Sequence, residues 1–346
     1  MRNEDSELEI YENGLLINEE QIKFLIIRFS SIGDIVLTTP VIRCLKQQVK
    51  GAEIHYLTKP QYAEILEENP YIDKVHTLKN FNETIDELKA EMFDYLIDLH
   101  KSIRSLRFKN KLKILDFSFP KLNWKKWMLV NLKINKLPDI HIVDRYMESI
   151  KIFDVENDNK GLDFFIKDEN NINIHTLIPE LKQDFIVFAI GGQHSTKKLP
   201  SNRIIDICNS ISYPIVLIGG KEDIENAEII KSKTKNTYNL CGNLNISQSA
   251  SIISNAKLVI THDTGMMHIA SAFKRDIISI WGNTVPEFGM YPYLPGEKSL
   301  LFEADNLKCR PCSKIGFEKC PKKHFNCMNM QDTVNIAMSA NKIMSE

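Results

Sequence analysis

Short apolar runs of strand length alternate with amphipathic stretches along most of the chain. Residues 23–29 (KFLIIRF) predict a buried strand. Ser-Ser-Ile-Gly-Asp follows, then a helix reaching Val49 in which Pro40 makes a kink or opens the main part. Residues 52–58 (AEIHYLT) alternate as a strand, 60–68 read as a helix, 73–78 as a strand, 80–91 as an amphipathic helix and 93–99 (FDYLIDL) as a strand. A polar, Asn-rich stretch at 154–173 interrupts this order, and the pattern then restarts. Strands are expected at 185–190, 214–218, 237–240, 257–261 and 277–281, and helices at 201–211, 222–233, 247–255 and 265–273. Strands alternating with helices imply βαβ units on parallel sheets, here as two α/β domains facing a cleft.

Ligands of such sheets bind where strands end and helices begin. The glycine-rich and polar clusters lie at those places: 30–34, 191–198, 219–223 and 261–268. None is a Walker loop or a GxGxxG fingerprint, which counts against NTPase and nicotinamide chemistry. Asp34 there is either a helix cap or a base, and Lys197 either a solvated loop lysine or a cation for an anionic group. Asp263-Thr264-Gly265-Met266 would open a helix whose first amides face an anion, or a capped helix without a ligand. Glu222 or Asp223, after Gly219-Gly220, could accept ribose hydroxyls or simply favour a helix start.

Composition narrows the class. The chain has 346 residues, 44 Lys+Arg against 45 Asp+Glu, and 43% apolar residues, as in an ordinary globular protein of two domains. Near-zero net charge argues against a general nucleic-acid binder. No apolar run reaches the roughly eighteen residues that cross a bilayer. Seven acids and one Arg in the first 22 residues are the reverse of a secretory or transit peptide, so the expected compartment is the cytoplasm. That acidic extension is read as flexible or as a small added strand, a choice the sequence leaves open.

The run Ile27-Arg28-Phe29-Ser30-Ser31-Ile32-Gly33-Asp34-Ile35-Val36-Leu37-Thr38-Thr39-Pro40 resembles the opening of glycosyltransferase family 9, the ADP-heptose:lipopolysaccharide heptosyltransferase family. Asp263-Thr264-Gly265-Met266-Met267-His268 is similar to the family's D-T-G-x-x-H, and Lys197-Lys198-Leu199-Pro200 to its K-x-W-P, with Leu for Trp. Trp281-Gly282-Asn283-Thr284 resembles F-G-P-T, with Asn for Pro. The resemblance covers about residues 23–330 and implies a GT-B fold, two Rossmann-like domains around a central cleft. The implied division is an acidic extension at 1–22, an acceptor domain at 23–165, a nucleotide-sugar domain at 175–330 and a C-terminal helix at 331–346.

What it implies chemically is inverting transfer without a catalytic metal. Asp34 would be the general base and Lys197 would stabilise the leaving diphosphate. Gly33, Glu222, Asp263, Thr264, Gly265, Met266 and His268 would bind the donor. The implied donor is ADP-heptose and the implied acceptor a lipopolysaccharide core (Kdo/heptose–lipid A). Two alternatives stay open: a relative using another nucleotide sugar or a protein acceptor, and a non-catalytic GT-B binding protein.

Residues 101–136 carry eleven Lys/Arg and one acid, Asp116, with Trp124 and Trp127 among them. That mixture suits an anionic membrane face or a phosphorylated glycolipid, with Arg104, Arg107, Lys125 and Lys126 as acceptor contacts. The bland reading is a solvated basic face with the Trp rings packed inward. Nucleic acid is the poorest fit, since no recognised module accompanies the charge.

Four of the seven cysteines, Cys309, Cys312, Cys320 and Cys327, fall within nineteen residues, with His324 among them. Ligand types and the first C-x2-C spacing suit a structural zinc or iron, while the inner gaps match no standard finger. Unligated thiols and redox chemistry are the alternatives. The cysteines at 44, 208 and 241 read as buried thiols.

Overall fold

The computed structural model describes residues 21–346, so all but the last two residues of the acidic extension lie outside the description. The first sheet holds β1 (Ile22–Ile27), β2 (Ala52–Thr58), β3 (Lys74–Thr77), β4 (Tyr95–Asp98) and β5 (Leu115–Ser118) in the order β3-β2-β1-β4-β5, all parallel. The second holds β6 (Ile186–Ala189), β7 (Ile215–Ile218), β8 (Thr237–Asn239), β9 (Leu258–His262), β10 (Asp276–Trp281) and β11 (Leu300–Glu303) in the order β11-β10-β9-β6-β7-β8, also parallel. Each is a doubly wound sheet whose order reverses at its first strand, between β1 and β4 and between β6 and β9. The central strands are apolar on both faces because helices cover both, and Phe24–Ile27 and Ile186–Phe188 are fully buried.

The helices of the first half are α1 (Ile32–Val36), α2 (Thr39–Gln48), α3 (Phe81–Ala90), α4 (Ile103–Leu112), α5 (Asn123–Leu132) and α6 (Ile142–Met147). The second half has α7 (Ile174–Leu177), α8 (Ser201–Ser210), α9 (Ile224–Ser232), α10 (Ile246–Asn255), α11 (Gly265–Ala272), α12 (Asn326–Asn329) and α13 (Thr333–Ser345).

The single helix expected up to Val49 is two helices, and Pro40 stands in the first turn of α2, where no backbone donor is needed. The stretch 60–68 forms only a short 3-10 turn, Pro60–Ile65. Edge strands β5 and β11 were not anticipated: both are four residues long and half exposed, so neither shows a buried apolar run.

The two halves are joined by more than the covalent link. Arg43 on α2 pairs with Asp158 at 2.8 Å and with Asp163, fixing the connecting segment. On α6, Ile142 N–H donates to Gly289 O at 2.7 Å and Arg145 Nη2 to Phe288 O at 2.8 Å, tying the first half to a loop of the second.

Candidate active site

The carboxyl ends of β1, β4, β6, β7 and β9 open into one cleft of about 840 Å³, within the range of nucleotide-ligand sites. The approach across it is closest where α1 meets α11. A Cβ on Gly33 would lie 2.5 Å from His268 Cδ2, and one on Gly265 would lie 2.8 Å from Ile32 Cβ. Only residues without a side chain let the two helix starts come this near.

Asp34 is the third residue of α1 and lines the cleft. Its Oδ2 accepts from Ser31 N–H (3.1 Å) and Ser31 Oγ (2.8 Å), and its Oδ1 faces Arg28 Nη2 at 2.6 Å. The helix cap is therefore Ser31, with Asp34 closing the capping box. Burial alone would raise the Asp34 pKa, but the Arg28 guanidinium and the Ser31 donors outweigh it and hold the carboxyl below its ordinary value. Arg28 is itself fixed by Leu99 O at 2.6 Å, Ser30 O at 2.8 Å and Tyr146 Oη at 3.1 Å.

The second half supplies the opposite wall. Lys197 Nζ lies 2.6 Å from Asp263 Oδ2, which also accepts from Thr284 Oγ1 at 2.8 Å. Thr264 is the N-cap of α11, so the first amides of that helix, with no intrahelical acceptor, open on the cleft. Gly33, Glu222, Asp263, Thr264, Gly265, Met266 and His268 all line it with Asp34 and Lys197. Lys198 points elsewhere, pairing at 2.9 Å with the buried Asp223, whose Oδ2 accepts from Gly220 N–H at 3.0 Å. Of the two acids after Gly219-Gly220, it is thus Glu222 that faces the cleft.

His268 is 2% exposed and its Nδ1 finds no protein partner; burial lowers its pKa to about 4, so the ring is neutral at pH 7. His100 has the same character: it lines the cleft, Nδ1 lacks a partner, and burial with Arg28 nearby takes its pKa to about 4.

The basic stretch does not converge on the cleft. Arg104 and Arg107 are exposed on α4, over the rings of Phe29 (5.9 Å) and Phe81 (4.6 Å). Lys125 is exposed on α5. Of these four Lys126 comes nearest, 5.8 Å over Phe288, a cleft residue, and burial lowers its pKa to about 8; Lys121 of the same stretch donates to the cleft residue His100 at its carbonyl, 3.2 Å. Trp124 and Trp127 are 69% and 42% exposed and stack on each other at 5.0 Å, so the rings are not packed inward.

The cysteine cluster gathers beside the end of α5, where Lys133 Nζ donates to Pro311 O at 2.6 Å and to Cys309 O at 3.1 Å. Cys309 Sγ is 3.9 Å from His324 Nε2, and Cys312 Sγ donates to Cys309 O at 3.2 Å. Burial and the neighbouring thiols push Cys327 up to about 12. The donor types suit a soft metal, yet among the described residues no three of these atoms come within 4.8 Å of one another. As arranged, the cluster does not close a coordination shell.

Arg28, His100 and Lys314 also line the cleft, and the sequence reading gave them no role. A charge inside the apolar run KFLIIRF was a usable signal for Arg28. Lys314 was hidden inside the cysteine loop, and His100 just beyond the end of β4.

The sequence model described as glycosyltransferase family 9 (heptosyltransferase) matches residues 82–319. Lipopolysaccharide heptosyltransferase 1 of Campylobacter coli is 24% identical over 292 residues, covering 76% of this chain and 84% of that protein. The glycosyl transferase family 9 structure from Veillonella parvula superposes with a TM-score of 0.77 at 19% identity, over 95% of this chain and 99% of its own. E. coli heptosyltransferase WaaC with ADP-2-deoxy-2-fluoro heptose gives 0.65 at 18% identity, over 92% and 100%. The iron-containing dodecameric heptosyltransferase TibC, in complex with ADP-D-beta-D-heptose, gives 0.57 at 10% identity, over 94% and 77%.

Proposed function

The chain belongs to glycosyltransferase family 9, and from that premise we propose that it transfers heptose from ADP-heptose to a lipopolysaccharide-core acceptor, with inversion and without a catalytic metal. The observation that carries the reading is that Asp34 from one sheet and Lys197 with the α11 N-terminus from the other line a single cleft. Relatives named as lipopolysaccharide heptosyltransferases support the acceptor class, and the ADP-sugar held by the WaaC structure supports the donor.

In the proposed step the acceptor hydroxyl attacks the anomeric carbon while its proton passes to Asp34. The new O–C bond forms as the bond from carbon to the β-phosphate oxygen breaks, and ADP departs with the electron pair. Lys197 and the first amides of α11 receive that charge. Because Asp34 is a weak base, its proton transfer belongs late in the step, when the attacking oxygen has become acidic. Glu222 would accept the ribose hydroxyls, and the neutral His268 would donate its unpartnered Nδ1–H to the donor sugar or phosphate.

Thermal unfolding with ADP, GDP, UDP and CDP tests the donor. A nucleotide at a hundred times its dissociation constant stabilises by about 2.7 kcal/mol. A shift confined to ADP and lost in Lys197→Ala supports the reading, whereas a shift with another base replaces the donor.

Lys126 at the rim of the cleft, with Arg104, Arg107 and Lys125 beyond it, would serve the anionic acceptor. No helix among the described residues is long and apolar enough to cross a membrane, so contact with the inner face of the cytoplasmic membrane would be peripheral, through the exposed Trp124–Trp127 stack. A structural zinc or iron on Cys309, Cys312, Cys320 and Cys327, with His324 as alternative ligand, belongs to the proposal on ligand type and spacing, and the TibC likeness adds iron as the ion to look for. Metal analysis of protein purified without added metal checks it.

A further inference from the structure

Away from the cleft, β2, β3 and the end of α3 bury two imidazoles against each other. His55 on β2 is 2% exposed and His76 on β3 is 1% exposed, and His55 Nδ1 lies 2.9 Å from His76 Nε2. The outer nitrogen of each ring faces a carboxylate: His55 Nε2 is 2.7 Å from Glu53 Oε1, and His76 Nδ1 is 3.0 Å from Glu87 Oε1. An ionised carboxylate only accepts, so each outer nitrogen carries the hydrogen of its ring. The inner nitrogens then meet as two lone pairs with nothing between them. Two neutral histidines do not hold such a contact unaided; a shared proton or a metal ion between them resolves it, and a third donor beside the pair favours the metal.

A third donor completes the corner. Glu91, just past α3, places Oε2 4.0 Å from His55 Nδ1, and one ligand atom from each of His55, His76 and Glu91 lies within 4.8 Å of the others. We propose that His55 Nδ1, His76 Nε2 and the Glu91 carboxylate bind a divalent transition-metal ion of the zinc type, with water as fourth ligand. Two imidazoles whose far N–H groups are each held by a carboxylate are the arrangement that orients and strengthens histidine ligands. Phe93 closes the apolar side, its ring 5.0 Å from that of His55 and 6.2 Å from that of His76.

The fit demands little movement. Tetrahedral zinc with bonds of about 2.0–2.1 Å needs the inner nitrogens about half an ångström further apart than they stand, and a rotation of Glu91. Lys74 and Lys23 now pair with Glu91, the latter at 3.9 Å, and Lys79 lies 3.4 Å from Glu87. Their side chains are 49%, 27% and 50% exposed, so they can withdraw into water as the ion enters. None of the three ligands lines the cleft, so the ion would pin edge strand β3 and the end of α3 to the sheet.

Cobalt(II) titration of the chelator-treated full chain separates this site from the cysteines, since thiolate ligands add intense sulfur-to-cobalt charge-transfer bands that nitrogen and oxygen ligands lack. In a Cys309→Ser/Cys312→Ser variant, one equivalent of cobalt is expected with weak visible bands only, and zinc is expected to raise the unfolding temperature. Glu91→Gln, which leaves the buried ring pair in place, should weaken that binding at least tenfold, and His76→Gln should abolish it. No binding by the double cysteine variant, or undiminished affinity in Glu91→Gln, would overturn the site. If His76→Gln does not fold, the Glu91→Gln result decides alone.

Discussion

Arg28 and Asp34, which both line the cleft, form a close ion pair, Nη2 to Oδ1 2.6 Å. The pair keeps Asp34 ionised against the cost of burial, and its sign sets a pH dependence. A carboxylate with a lowered pKa stays a competent base into acid, so the acid limb of activity should lie below the ordinary carboxylate value. Arg28→Gln removes the opposing charge and leaves the burial, so the limb should move upward. Asp34→Asn should cost roughly 10²–10⁴-fold in turnover with ADP binding nearly kept. A pH–rate profile of Arg28→Gln unchanged from wild type would remove Asp34 from the proton-transfer step.

Lys197 rests on Asp263 at 2.6 Å, and a donor diphosphate would compete for the same ammonium. Lys197→Ala should lower turnover about 10²–10³-fold, the scale of losing one stabiliser of departing charge. Lys198→Ala should instead act on stability, since Lys198 holds the buried Asp223 at 2.9 Å and does not line the cleft. Rates and unfolding midpoints of the two variants, measured together, distinguish the lysines; matching profiles would undo the assignment.

Gly33 and Gly265 set the distance between the halves. Gly265→Ala would place a methyl 2.8 Å from Ile32 Cβ and 3.1 Å from Gly33 N, so one helix start must retreat. The expected outcome is a folded protein with a loss of turnover larger than its loss of ADP affinity, because the proposed base and the proposed donor site separate. ADP titration calorimetry beside initial rates would show it, and unaltered turnover would mean that the cleft closes by another path.

The central strands were legible because β1, β6, β7, β9 and β10 are largely apolar runs, and parallel sheets bury both faces of such strands, while β2 showed as an alternation. Edge strands β5 and β11 carried no such signal, and α4 and α5 were hidden by their charge. The residues of the second half that line the cleft were legible because Gly and small polar residues cluster where strands end. Lys197 was picked over Lys198 by the motif likeness; the pattern itself hid the choice, since adjacent residues are told apart only by the backbone between them. The partner of Asp34 was equally hidden: Arg28 sits six residues earlier, and only the strand-to-helix turn brings it back. The His55–His76 contact is set by the register that places Leu57 opposite His76 and His55 opposite Lys74, which no local pattern announces.

Exposed Trp124 and Trp127 sit on α5 within a basic stretch, so binding to vesicles of anionic lipid should weaken in Trp124→Ala/Trp127→Ala and fall with salt. Sedimentation with anionic and zwitterionic vesicles measures it. Equal partition of wild type and variant would assign the stack to some other surface.

Four histidines, three of them buried and His100 half-buried, tie stability to pH. Burial takes His262 and His268, like His100, to about 4 and His141 to about 3, all below the ordinary histidine value of about 6.5. The unfolded chain therefore takes up protons between pH 6.5 and 4 while the folded chain does not, so stability falls as the medium is acidified through that window. One histidine shifted from 6.5 to about 4 contributes ~3 kcal/mol of that loss. His262 offers the clean case, because its Nε2 accepts from Leu199 N–H at 3.0 Å and must stay unprotonated to do so. Glutamine at that position keeps an acceptor oxygen and cannot take up a proton. His262→Gln should thus unfold at a somewhat lower temperature near pH 7.5 yet lose less on going to pH 5, so the two stability curves converge. Chemical denaturation at half-unit pH steps reads the slopes directly, and parallel curves would mean that His262 carries no part of the acid sensitivity.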